Sequence, residues 1–194
     1  MGALLARDGS MNLFVDHELT ATASGVQHAH QPNGFAGGAF IAKWNITTEF
    51  GPNFLEVNSG SDAILTSAAV SNGSGGSLYN FARFCSGDIA ESSAYLNSQT
   101  GLGTPNRFFV CGEESGSTGR MIATDLNTGV AYQMTAFDAS QGAWENGVAR
   151  PFESDTTVMI GLSDGGANRV FVYVGSKQAT GTPAEQAGLM NGIS

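Results

Sequence analysis

Apolar residues along the chain fall into short runs that turn residues separate, and most runs alternate between apolar and polar side chains. Such alternation over about four to eight residues is typical of β-strands. The pattern predicts strands at 12–18, 38–47, 54–58, 107–113, 120–125, 131–136, 156–162 and 169–175. Between two of these strands, residues 125–129 predict a tight hairpin turn, because Asn127 and Gly129 tolerate positive φ.

The segment from residue 59 to residue 102 is less regular. Residues 71–77 contain only Ser, Asn and Gly and are typical of a flexible loop, whereas residues 89–96 predict a short helix. No Gly-x-Gly-x-x-Gly motif opens a helix after a strand, and no long amphipathic helix alternates with the strands. The pattern therefore favours an all-β fold over a doubly wound α/β fold.

The composition indicates the net charge of the protein and its expected location. The 17 acidic and 8 basic residues give a formal charge of -9, which would repel a polyanion such as nucleic acid. Only 13% of the residues are charged and 27 are glycines, a profile typical of secreted proteins with short strands and tight turns. The first residues lack a signal-peptide pattern, so either the protein stays in the cytosol or a leader has been removed. The composition favours the second alternative, and with it an extracellular or periplasmic location. No segment approaches the roughly 18 apolar residues of a membrane span.

Three of the apolar runs end on carboxylates, namely those in residues 13–18, 108–114 and 159–164. A strand with Trp or Tyr, and often Lys, follows downstream, and Glu145 beside Trp144 adds a further acid. Units of this kind are typical of β-propeller blades, whose inner strands face one central channel. The sequence therefore predicts a β-propeller or part of one, with residues 1–194 as a single domain of a larger propeller.

Carboxylates that gather in one channel repel each other, and burying an unpaired charge is costly. Hard cations remove that cost because they take carboxylate oxygens as ligands. We therefore expect Glu113 and Glu114 to belong to a set of metal ligands. The alternative is that these acids are solvated turn residues at strand ends.

The two cysteines, Cys85 and Cys111, leave three alternatives open. A disulfide between them would close a loop of about 26 residues and is reasonable in an oxidising compartment. Otherwise they are inert buried thiols, or one of them is a metal thiolate.

Several short motifs follow one another over nearly the whole chain: Asp16-His-Glu-Leu19, Arg83-Phe-Cys-Ser-Gly87, Cys111-Gly-Glu-Glu114, Trp144-Glu-Asn146, Leu162-Ser-Asp-Gly165 and Val172-Tyr-Val-Gly-Ser-Lys177. Together they resemble the PhoX-type alkaline phosphatases, a family of secreted bacterial β-propellers. The resemblance implies a metal-dependent phosphomonoesterase whose channel holds calcium and iron. It implies that Cys85 is the iron thiolate, that Glu113 or Glu114 binds the metal cluster, and that Glu145 binds iron or calcium. Glu18 and Asp164 would lie at the same mouth.

The sequence also departs from the family pattern. Trp144 stands where the better-studied phosphatases have His. None of the few basic residues can be assigned to substrate binding, so catalytic residues stay unassigned. Family members continue beyond the point where this chain stops, so we expect either a missing second half or self-association. The alternative function is a noncatalytic extracellular propeller, stabilised by calcium, for adhesion or for surface or filament assembly.

Overall fold

A computed structural model describes residues 1–23, 25–32, 34, 36–69, 80–137, 140, 142–164 and 169–194. The described residues have an all-β fold, as the sequence predicted. The strands are β1 (Gly2–Leu5), β2 (Met11–Asp16), β3 (Ile41–Ile46), β4 (Val57–Asp62), β5 (Thr66–Ala69), β6 (Phe84–Asp88), β7 (Leu96–Asn97), β8 (Leu102–Gly103), β9 (Phe108–Glu113), β10 (Met121–Asp125), β11 (Val130–Gln133), β12 (Trp144–Ala149), β13 (Thr156–Ser163) and β14 (Val170–Ser176). Short 3-10 turns lie at Ser92–Ala94 and Gly116–Thr118, and α1 spans Pro183–Gln186.

Each predicted strand overlaps an observed strand, but two local predictions were wrong. The strand predicted at 54–58 begins only at Val57, because Leu55 has a φ of 64° within a turn. The helix predicted at 89–96 is only the 3-10 turn Ser92–Ala94, since Leu96 pairs with Gly103 in β7 and β8. The predicted turn at 125–129 is present, with Gly129 at a φ of 71°. The predicted loop at 71–77 lies outside the described residues.

Within the described residues the strands form three main sheets and one small one. The first sheet has the order β1-β2-β3-β4, the second β5-β11-β10-β9-β6, and the third β12-β13-β14, while β7 pairs with β8. All strand pairs in the described residues are antiparallel except β5 with β11. No helix in the described part of the chain is long and apolar enough to cross a membrane.

Two hydrophobic clusters hold the three sheets in layers. Phe14 and Ile41 of the first sheet belong to one cluster with Phe109 and Ile122 of the second sheet. Alternate residues of the second sheet point the other way and pack against the third sheet in a cluster that includes Phe108, Val110, Met121, Trp144, Met159 and Tyr173. Every residue of β9 and β10 is buried, so the second sheet is the middle layer.

The second and third sheets approach each other closely at Gly112 in β9. A Cβ atom on Gly112 would lie 2.1 Å from the carbonyl oxygen of Trp144 in β12, which is shorter than any normal contact. The backbones of β9 and β12 can therefore touch only because residue 112 has no side chain.

We expect Gly112→Ala to lower the free energy of unfolding by about 1–3 kcal/mol, because the added methyl group forces β9 and β12 apart. Gly51→Ala is the matched control, since a Cβ there meets nothing within 4 Å and Gly51 does not need positive φ. Chemical denaturation of both variants measures the difference. Equal free energies of unfolding for the two variants would show that β9 and β12 can move apart without a loss of stability.

Candidate metal centre

Five of the six predicted ligands come together where the three sheets meet. Glu18 follows β2 of the first sheet, Cys85 lies in β6 and Glu114 follows β9 of the second sheet, and Glu145 lies in β12 and Asp164 follows β13 of the third sheet. Each main sheet therefore contributes at least one potential ligand to the same place.

The potential ligands form two groups that share Glu114. One ligand atom each from Glu18, Cys85 and Glu114 lie within 4.8 Å of one another, and so do ligand atoms from Glu114, Glu145 and Asp164. Among the described residues, these are the only groups of three or more such side chains at this spacing. Glu18 and Asp164 are exposed, and the other three are partly buried, so the centre is open to solvent on one side.

Two irregular strand pairings lie at Cys85 and Glu145. The pairing of β6 with β9 shifts register between Phe84 and Gly87, and that of β12 with β13 shifts between Trp144 and Asn146. Such bulges commonly re-aim a side chain next to a functional site. Here each shift includes a potential ligand, so the irregular backbone sets the direction of Cys85 and Glu145.

Two non-glycine residues with positive φ precede these register shifts. Arg83 has a φ of 50° and Ala143 a φ of 54°, a conformation that costs free energy for residues with a side chain. Hydrogen bonds hold both in place: the Glu114 amide donates to the Arg83 carbonyl at 2.9 Å, and the Asp164 amide donates to the Ala143 carbonyl at 3.1 Å. The strained residues thereby tie the backbones of two potential ligands to the centre.

Arg83 is a component of the centre that the sequence analysis did not assign. Its Nη2 atom lies 2.9 Å from Glu18 Oε1 and 2.6 Å from Glu114 Oε2. The only sequence signal was its place two residues before Cys85, because Glu18 and Glu114 lie 65 and 31 positions away in the chain. A guanidinium group at an open carboxylate cluster is also a donor of paired hydrogen bonds to an anion.

The electrostatics around Cys85 suit a cation. Burial raises the pKa of the Cys85 thiol to about 12, with further contributions from a hydrogen bond with Glu145 and from the charges of Glu145, Glu18 and Glu114. A bound cation would oppose this effect and favour the thiolate. Carboxylate oxygens suit calcium and a thiolate with carboxylates suits iron, so the donor set fits both expected metals.

Glu113 lies outside the two groups and points into the protein. Its buried carboxylate accepts hydrogen bonds from Nε of Arg120, from Nη2 of Arg120 at 2.5 Å and from the Ala82 amide at 2.8 Å. The Arg120 guanidinium also lies 5.4 Å from the centre of the Phe81 ring. Glu114, the residue that follows β9, reaches the centre instead.

Both cysteines are free thiols in the structure. Cys111 is fully buried in the cluster between the first and second sheets, and burial raises the pKa of its thiol well above the usual value. Of the three alternatives for the cysteines, the structure therefore does not show the disulfide. Cys111 is a buried thiol, and Cys85 is a partly exposed thiol beside the carboxylates.

No protein-family model matches the chain, and neither the curated proteins nor the solved structures include a significant match to it.

Proposed function

We propose that this protein is a metal-dependent phosphomonoesterase of the PhoX-like type, and that its three sheets are blades of a β-propeller or of part of one. The observation that carries the proposal is the meeting of Glu18, Cys85, Glu114, Glu145 and Asp164 from three separate sheets. Glu18, Glu114 and Asp164 each follow the apolar strand of one repeated unit. This arrangement is expected for ligands at a shared channel.

In this proposal, Glu114 is the ligand common to two metal positions, with Glu18 and Cys85 at one and Glu145 and Asp164 at the other. Calcium and iron would stabilise the negative charge on the phosphate oxygens and on the leaving alkoxide. Arg83 would bind the phosphate with its remaining guanidinium N–H groups, because Nη2 already bonds to Glu18 and Glu114 while the side chain is 42% exposed. These cations would allow a chain with a charge of -9 to bind an anionic substrate.

An extracellular or periplasmic location is part of the proposal. The composition supports it, because few charged residues and 27 glycines are typical of secreted proteins with short strands and tight turns.

A second candidate function is a noncatalytic extracellular protein in which calcium only joins the loops of the three sheets. The exposed apolar residues of β13 and β14 favour it, because Ile160, Val170 and Val172 are 46%, 66% and 57% exposed. Exposed apolar surface of this kind is typical of proteins that assemble with others.

We expect protein purified without chelator to contain calcium and iron, to absorb visible light through thiolate-to-iron charge transfer, and to hydrolyse p-nitrophenyl phosphate. Cys85→Ser should lose the absorption band and most of the iron, because serine does not replace a thiolate ligand. Cys111→Ala is the control and should keep both. Elemental analysis, visible spectroscopy and hydrolysis before and after chelation measure these effects.

The same measurements separate the alternatives. Calcium without iron, together with no hydrolysis of phosphate esters, would select the noncatalytic candidate. Absence of both metals would contradict both candidates. An unchanged spectrum in Cys85→Ser would remove Cys85 from the metal centre.

A further inference from the structure

A cavity of about 310 Å³ lies between the edge of the first sheet and the turn that joins β10 to β11. Phe14, Lys43 and Ser61 of the first sheet line one wall, and residues 126–129 of the turn line the opposite wall. Small-molecule sites in proteins are clefts of about 300–1,000 Å³, so this cavity lies at the lower end of their range. It has the volume of about ten water molecules in the liquid, which is enough for a small organic ligand.

Lys43 lies on the inner face of the first sheet, which is an unusual place for a charged side chain. It pairs with Phe14 across β2 and β3 and with Ser61 across β3 and β4, so the three side chains share one face of the sheet. Phe14 is 3% exposed and belongs to the hydrophobic cluster between the first and second sheets. Lys43 therefore stands at the border between this buried cluster and the cavity.

Lys43 has no anionic partner in the described part of the chain. Among the other basic residues, Arg83, Arg107 and Arg120 each form an ion pair with a glutamate. No ion pair between described residues includes Lys43, whose ammonium group has three N–H donors. An ammonium group that lines a cavity without a carboxylate partner is available to an anion from solution.

Asp62 also lines the cavity, but other groups hold its carboxylate. One oxygen lies 3.0 Å from Nδ1 of His28, and the other accepts a hydrogen bond from the Ala29 amide at 2.7 Å. The charge of Asp62 limits which anions can bind beside it. A dianion would face this carboxylate and a protein of charge -9 with one cation in the cavity wall, whereas a monoanion matches the single charge of Lys43.

The remaining walls combine apolar surface with polar groups that can bind a carboxylate. Phe14, Leu65 and Leu126 contribute the apolar part. Ser61 and Asn127 also line the cavity, and within the described residues neither side chain forms a hydrogen bond. A few convergent polar groups on a largely apolar lining are typical of small-molecule sites.

We propose that this cavity binds a small organic monocarboxylate with an apolar body. The carboxylate pairs with Lys43 and accepts hydrogen bonds from Ser61 and Asn127, while the body packs against Phe14 and Leu126. None of the residues around the cavity is a potential ligand of the metal centre, so the proposal does not rest on the phosphomonoesterase function.

Phenylacetate is the probe, because it combines one carboxylate with an apolar ring and has about ten non-hydrogen atoms, as the cavity volume requires. A titration of the full chain in chelator, followed by protein NMR, should shift the amide signals of residues 126–129. Phenylacetamide has the same shape without the charge, and it should bind about tenfold more weakly because the charge-assisted hydrogen bond is lost. Phenyl phosphate, a dianion above neutral pH, should also bind more weakly than phenylacetate.

Lys43→Met should raise the dissociation constant of phenylacetate by about tenfold or more and leave that of phenylacetamide unchanged. Arg7→Met removes the same charge from an exposed position outside the cavity and should keep the wild-type affinity. Ser61→Trp changes an exposed residue and should fill the cavity, so that neither probe binds. Asn53→Trp, at an exposed residue away from the cavity, is its matched control.

Three results would overturn the proposal. If phenylacetate does not bind at millimolar concentration, or binds as well to Ser61→Trp as to Asn53→Trp, the cavity is not a carboxylate site. Equal affinity for phenylacetate in Lys43→Met and Arg7→Met would mean that Lys43 does not recognise the carboxylate. Tighter binding of phenyl phosphate than of phenylacetate in chelator would contradict the preference for a monoanion.

Discussion

Arg120→Met is expected to lower the free energy of unfolding by about 3–5 kcal/mol, because it leaves the Glu113 carboxylate buried without its cation. Glu113 is 1% exposed, and the guanidinium supplies two of the hydrogen bonds to its oxygens. The remaining donors, the amides of Ala82 and Arg120, do not neutralise its charge. Urea denaturation at neutral pH measures the loss.

The double variant Glu113→Gln/Arg120→Met separates the charge effect from packing. The glutamine side chain introduced by Glu113→Gln would still accept a hydrogen bond from the Ala82 amide but carries no charge, so the double variant should be more stable than Arg120→Met alone. Arg150→Met, at an exposed arginine whose side chain donates a hydrogen bond to Ser154, is the control and should change stability by less than about 1 kcal/mol. An Arg120→Met protein as stable as this control would show that the buried ion pair contributes little.

The strands that sequence reasoning identified are those whose side chains alternate. In β13, buried and less buried positions follow each other strictly from Thr157 to Ser163, which is the pattern that predicted it. β6 and β12 were missed because Cys-Ser-Gly and Glu-Asn-Gly are residues typical of turns, and because register shifts interrupt the alternation. The same irregularities direct Cys85 and Glu145 to the centre.

Ligands that stand at the ends of apolar strands could be predicted from the sequence. Side-chain directions that depend on strand register could not. Glu18 and Asp164 stand just after apolar strands, so the repeat indicated them. Whether Glu113 or Glu114 faces the centre depends on the β9–β10 register, in which the Glu113 amide donates to the Arg120 carbonyl. The pairing of Arg83 with Glu18 depends on contacts between sheets, which one sequence does not reveal.

Glu114→Gln is expected to abolish the stabilisation by calcium, because Glu114 belongs to both groups of potential ligands. A calcium concentration 100 times the dissociation constant should stabilise the wild type by about 2.7 kcal/mol. In chelator, Glu114→Gln should be slightly more stable than the wild type, because it has one negative charge fewer beside Glu18, Glu145 and Asp164. Arg83 loses one partner but is 42% exposed and keeps Glu18, so this loss should be small. Thermal unfolding in calcium and in chelator measures both effects.

Glu56→Gln removes the same charge from an exposed position outside both groups, and it should keep the full stabilisation by calcium. The comparison therefore distinguishes ligation from a general effect of net charge. If Glu114→Gln gains as much stability from calcium as Glu56→Gln does, Glu114 is not a ligand. If the wild type gains none, the cluster is not a calcium site. In that case Arg83 alone would neutralise part of the charge that the three sheets bring together, and the carboxylates would be solvated strand ends.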